Sequence, residues 1–207
     1  MKEKIIYSDI IKTAWKSLKA QFWLLAGLLI GFTIIYSLLF LFAIPEKGGF
    51  FSISGIIASI LCLFLLCLFQ LGYLKNCFQT LDGDEPQFSS YGQVSRKLPG
   101  YIVAYLIYAI VIIIGIVLFV IPGIYLMLRL QFFIASMVDE NTGIIKSFKR
   151  SWEITKGHSM RLFVVMLIMI AIYIIGYIVL FVGMFVAIPL ITLMYGVVFR
   201  RLTMPTA

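Results

Sequence analysis

The residue most out of place in this chain is an arginine inside an apolar run, Arg129 in Leu126-Met127-Leu128-Arg129-Leu130-Gln131. A guanidinium at the bilayer centre costs roughly 2.5–3.5 kcal/mol on insertion scales, so it needs a partner or a task. No Asp or Glu falls inside any apolar run to neutralise it. Gln70 and Gln131 offer amide groups within the runs, and with Arg129 they are the candidate contacts for a lipid headgroup or an anionic substrate. Two readings of Arg129 follow. In one it is structural, snorkelling or bonding a carbonyl freed near Pro122; in the other it binds lipid or ligand.

The remaining reactive residue types point away from catalysis. His158 is the single histidine and has no nucleophile or metal-ligand neighbour in sequence. Asp82, Asp84 and Glu85 lack the ligand spacing of a calcium loop and read as a solvated turn. Cys62, Cys67 and Cys77 lack metal-site spacing and read as small packing residues. The expectation is a protein that is not an enzyme, with no catalytic residue, no cofactor and no metal.

The elements that position these residues are set by composition. Of 207 residues, 62% are hydrophobic and 13% charged, against about 45–50% and about 25% in soluble domains. A mean hydropathy of +1.08 excludes a water-soluble or disordered chain. Crossing a hydrocarbon core takes about 20 apolar residues as helix. The expected spans are residues 22–44, 53–74, 101–121, 123–138, 162–182 and 185–199, in one transmembrane domain over 1–207. The last four come from two apolar blocks that are each too long for one crossing. Ile121-Pro122-Gly123 folds back the first, by Pro-Gly turn chemistry, and Gly183 with Pro189 brackets the bend in the second. The fold class expected is all-α, a six-span bundle of three hairpins.

Charge placement gives the orientation. With both termini cytoplasmic, 15 of the 17 Lys and Arg residues fall inside the cell, among them the pair Arg200-Arg201, leaving Lys47 outside and Arg129 in a span. The net charge of +8 is therefore an orientation signal, and a nucleic-acid partner is not expected. Segments 8–20 and 144–156 are amphipathic and are expected to lie in the interface, basic side toward anionic headgroups. Trp15 with Lys19 and Trp152 with Lys156 are their anchors, at matching spacing in an internal repeat that also pairs Ile113-Ile114-Gly115 with Ile174-Ile175-Gly176.

Ile121-Pro122-Gly123-Ile124-Tyr125-Leu126 with Arg129, then Val138-Asp139-Glu140, then Ser151-Trp152 with Lys156-Gly157 resembles the YciC-like bacterial membrane proteins. Leu81-Asp82-Gly83-Asp84-Glu85-Pro86 is similar too. Those proteins are related to the membrane domain attached to some glycerophosphodiester phosphodiesterases. The resemblance implies a six-span helical bundle in a bacterial inner membrane and no catalytic residues. The function expected is a scaffold, self-protection or accessory component acting on membrane lipids, a membrane protein partner or a second copy. The alternative is a transporter or permease subunit for an anionic or lipidic substrate. A reporter fused after Arg201 is expected to give a cytoplasmic signal; a periplasmic one would refute the even span count.

Overall fold

The computed structural model describes residues 5–43, 53–179 and 182–204. The expected outer loop with Glu46 and Lys47, and the N-terminal Lys2 and Lys4, lie outside the described residues. The described residues are all helical or turn: α1 (Tyr7–Ala43), α2 (Ile53–Asp82), α3 (Ser89–Ser95), α4 (Leu98–Leu118), α5 (Val120–Leu130), α6 (Phe133–Val138), α7 (Ile144–Ile154), α8 (Ser159–Ile178) and α9 (Met184–Thr203). Six stretches are long and apolar enough to cross a membrane, α5 and α6 together making the fourth. The all-α polytopic bundle expected from the composition is what forms.

The helices pair as α1 with α2, α4 with α5 and α8 with α9, and α9 also packs on α1 and α2. Burial is concentrated at the end of the bundle that carries Arg200. There α9 buries Leu190, Leu193, Met194, Val198, Phe199 and Leu202 against Ile10, Ala14 and Leu18 of α1 and Leu71, Leu74 and Phe78 of α2. Towards the opposite end Ile34, Ile60, Ile113, Val117 and Ile178 are exposed. They have no apolar cover among the described residues, as a surface in contact with hydrocarbon would.

The segment 8–20 forms a helix of its own, as expected, joined to the first span across non-helical backbone at Gln21 (φ −126°, ψ 24°), so that α1 is two helices meeting at a kink. What differs is the surface that its apolar face covers. Its apolar stripe is consumed by the protein: Ile10 and Ala14 are 0% exposed, and Asp9 pairs with Arg201. Tertiary packing has outcompeted the bilayer for the same face, while Trp15 remains exposed with Lys19 Nζ 5.5 Å from its ring. The second span also overruns its expected end at 74, because Cys77, Phe78 and Leu81 continue the buried stripe to Asp82. Asp82, the last residue of α2, is exposed at the turn as expected, and in addition pairs with Arg200 (2.8 Å), which also holds Asp139 (3.0 Å).

The bend between α4 and α5 falls one step before Pro-Gly. Phe119 alone is extended (φ −158°, ψ 130°), and Pro122 and Gly123 lie in the first turn of α5. Proline is tolerated there because the N–H it lacks has no intrahelical acceptor. Gly123 serves close approach: a Cβ on it would stand 2.7 Å from Ile116 N and 2.8 Å from Ile116 Cα. The α8–α9 hairpin repeats the device, since a Cβ on Gly183 would stand 2.5 Å from Gly176 O and 2.9 Å from Gly176 Cα. Pro189, by contrast, sits inside α9 without ending it.

In both hairpins the obstructing atoms are backbone, which cannot rotate aside. Gly123→Ala and Gly183→Ala are each expected to lower stability by about 1–3 kcal/mol, measured as a fall in melting temperature in detergent. Gly27→Ala, where nothing lies within 4 Å of the added carbon, is expected to leave it unchanged.

Candidate functional site

The fourth span is broken at Gln131 and Phe132, between α5 and α6. Neither a glycine nor a proline causes the break. It is held open by side chains that take over the backbone groups it frees. Phe132 N–H donates to Ser151 Oγ (3.1 Å), and Ser151 Oγ donates to Arg129 O (2.8 Å). Gln131 Nε2 donates to Leu128 O (3.1 Å), and Tyr195 Oη donates to Gln131 O (2.7 Å). The Thr155 hydroxyl lies 3.1 Å from Arg129 O and 2.7 Å from Ser151 O, its one proton serving one acceptor at a time. An unsatisfied backbone group in hydrocarbon costs several kcal/mol, which is why side chains take the place of the missing helical partners of these groups.

Helix α7 supplies most of those substitutes, a role beyond the interfacial one expected of it. Ser147, Ser151 and Thr155 are each 0% exposed and form the face packed on the bundle, with Ile154. Ile145 and Trp152 point outward, exposed. The hydroxyl stripe recurs every fourth residue, and it was readable in the sequence as a helix face without being read as one. The helix spans Ile144–Ile154, within the expected 144–156, and is docked as well as amphipathic. Its start is fixed by the turn from α6: Arg150 Nη2 meets Glu140 Oε1 at 2.9 Å and Arg150 Nε meets Glu140 Oε2 at 3.1 Å. Ser136 Oγ donates to the same Glu140 carboxylate (2.8 Å). The Glu140 hydrogen bonds hold the Arg150 guanidinium above its ordinary value, against the effect of burial.

Arg129 occupies the last turn of α5 and is 2% exposed. It sits about 14 Å along the helix axis from Val120, at the far end of α5 from the hairpin turn. Its guanidinium carbon lies 4.2 Å from the Trp152 ring centroid and 5.8 Å from that of Tyr125. The two rings meet edge to face at 6.2 Å and 90°. A cation over aromatic faces gains about 2 kcal/mol when desolvated, a partial replacement for lost water. Arg129 Nε and Nη1 are buried and have no hydrogen-bond partner among the described residues. The site is a buried cation walled by aromatic rings, with two donor nitrogens that lack an acceptor among the described residues.

The expected site residues divide. Arg129 and Gln131 meet at the break, Gln131 as the residue that caps it. Gln70 is elsewhere, on α2, where its Oε1 accepts Tyr101 Oη (2.7 Å). Trp152, expected to anchor the interface beside Lys156, lies over Arg129 while staying exposed itself, and Lys156 is exposed. The Trp15–Lys19 stack thus has no counterpart at the corresponding pair. Thr155 and Tyr195 were not singled out from sequence, and Tyr125 and Ser151 stood there only as members of the motif pieces that carry the resemblance. Among the described residues no three His, Cys, Asp or Glu side chains are grouped to hold a metal.

Fold and site together define a polytopic helical membrane protein with a discontinuous span, closed around a buried arginine. The model of one family, the membrane domain of glycerophosphoryl diester phosphodiesterase, matches residues 87–202. This is more than half of the chain, and the chain belongs to that family. No curated protein and no solved structure matches it. The matched stretch contains Tyr125, Arg129, Ser151, Trp152, Thr155 and Tyr195, so the whole site lies within it, whereas α1 and α2 lie outside.

Removing the relay hydroxyl tests the account of the break. Ser151→Ala leaves Phe132 N–H without an acceptor and is expected to cost about 1–3 kcal/mol, seen as a lower melting temperature in detergent. Ser151→Thr, which keeps the hydroxyl, should recover part of it. An unchanged melt in Ser151→Ala would mean that the break does not depend on this relay.

Proposed function

We propose that the chain is a non-catalytic membrane component that holds the anionic group of a lipid at Arg129. The observation that carries this reading is a guanidinium buried to 2% exposure with Nε and Nη1 unpartnered. A charge left so deep without a counterion is costly, and a phosphate oxygen supplies both the missing charge and the missing acceptor. Trp152, exposed beside it, forms the side open to lipid. The family is named for an enzyme of glycerophosphoryl diesters, and a phosphodiester is the kind of anion such a site accepts. We place the protein in the bacterial inner membrane with both termini cytoplasmic, on the distribution of cations, as a scaffold, self-protection or accessory factor for lipid or a membrane partner.

A transporter or permease subunit is the second reading, and the discontinuous fourth span favours it, since broken helices build substrate sites in many transporters. A path lined jointly by Arg129, Gln131 and Gln70 loses support because Gln70 is held by Tyr101.

The test is retention of phosphatidylglycerol against phosphatidylcholine by the full chain, read by native mass spectrometry from mixed-lipid nanodiscs. Arg129→Gln is expected to lower phosphatidylglycerol retention about 5–10-fold, the loss of one charge-assisted contact worth roughly 1–1.4 kcal/mol. Arg129→Leu is expected to melt at or above the wild type, because a buried unpaired charge is removed. Retention unchanged in both variants would overturn the lipid reading.

A further inference from the structure

At the end of the bundle that carries Arg200, an open cleft of about 430 Å³ lies between α2, α3 and the turn after α6. Lys75, Gln79, Gln93, Lys97, Asp139 and Asn141 are among its lining residues. Two ammonium groups are brought to it from different elements, and each donates to a neutral oxygen. Lys75 Nζ bonds Gln93 Oε1, and Lys97 Nζ bonds Met137 O (3.0 Å). The carboxylates that share the cleft are already engaged: Asp82 and Asp139 both bind Arg200. Burial first and Lys75 second hold the Lys97 ammonium below its ordinary value.

Position adds to composition. Lys75 directly follows the apolar stretch of α2, and Lys97 directly precedes α4. Both therefore sit where spans leave the hydrocarbon, at the depth of lipid phosphates and within reach of water. Amide groups flank them. Gln79 accepts Ser90 Oγ (2.9 Å) through its own Oε1, so its NH2 group is the end with donors to offer. Like charges converging beside amide donors, with the local acids bound elsewhere, make an anion receptor.

We propose that this cleft binds a phosphate group through Lys75 and Lys97, as a second site independent of Arg129. The phosphate is either that of a headgroup or that of a water-soluble phosphomonoester, and the two sources separate experimentally. In one arm, the full chain in a neutral detergent is titrated with sn-glycerol 3-phosphate and with inorganic phosphate by calorimetry. In the other, nanodiscs of phosphatidylcholine with and without phosphatidylglycerol are compared by native mass spectrometry. Binding in the first arm identifies a soluble ligand; binding confined to the second identifies a headgroup.

In whichever arm binds, K75Q/K97Q is expected to lose about 25-fold in affinity, about 5-fold for each cation. K75R/K97R, which keeps both charges and can still reach Met137 O, should stay within about 3-fold of the wild type. Arg129→Gln should leave binding unchanged in the first arm, and in the second the K75Q/K97Q loss should persist on the Arg129→Gln background, which separates failure here from failure of the lipid reading at Arg129. Wild-type affinity in K75Q/K97Q, equal loss in K75R/K97R, or no phosphate binding in either arm would overturn the proposal.

Discussion

The structure turns on one constraint, the need to satisfy a backbone interrupted inside a membrane span. At Gln131 and Phe132 the fourth span stops being a continuous helix, and hydrocarbon offers no water to the groups released there. Ser151 resolves most of this with one hydroxyl, accepting from Phe132 N–H and donating to Arg129 O. Tyr195 and Gln131 cover two further carbonyls. The consequence is mechanical as well as local. The break ties α7 to α5 through Ser151 and α9 to α5 through Tyr195, so a helix that composition would leave on the surface is drawn onto the bundle.

That docking also makes the site. Trp152 is one residue beyond Ser151, so fixing Ser151 on the break aims the indole at the guanidinium one turn back along α5. Ring stacking continues inward, with Phe132 5.0 Å from Tyr195 and 6.0 Å from Phe199. Arg129 is thereby enclosed by aromatic surface on one side and a hydrogen-bonded backbone on the other, with Nε and Nη1 still unpartnered. The motif pieces Ile121-Pro122-Gly123 with Arg129 and Ser151-Trp152 with Lys156-Gly157, far apart in the chain, therefore belong largely to one place. Membership of the membrane-domain family rests on the stretch that contains them.

The two hairpins solve a different problem with the same device. Bringing helices together without a hydrophobic driving force requires close backbone approach and therefore small residues. Gly123 against Ile116, and Gly183 against Gly176, supply it at equivalent turns. The charged end is closed by ion pairs instead, Arg200 joining Asp82 to Asp139 and Arg201 joining Asp9. Glycine contacts at one end and guanidinium–carboxylate contacts at the other hold the spans in register.

Much was legible in the residues alone, because hydrophobic length and charge placement are properties of the chain. A helical membrane class, six apolar stretches, the fold-back within each long block, and the anomaly of Arg129 all follow from composition and spacing. What covers the first amphipathic segment was not legible, because an apolar stripe does not say whether lipid or protein will lie on it; Ile10 and Ala14 are covered by the protein. Nor was the turn at Phe119, since proline is equally suited to a turn and to the first turn of a helix. Most of all, Ser151 beside Arg129 was invisible: a serine stripe has no meaning until a broken helix presents unpaired carbonyl and N–H groups to it. The sequence determined that a charge would be placed in the membrane. Only the tertiary structure decided what surrounds it, because hydrogen bonds between residues 22 apart exist only once the helices have packed.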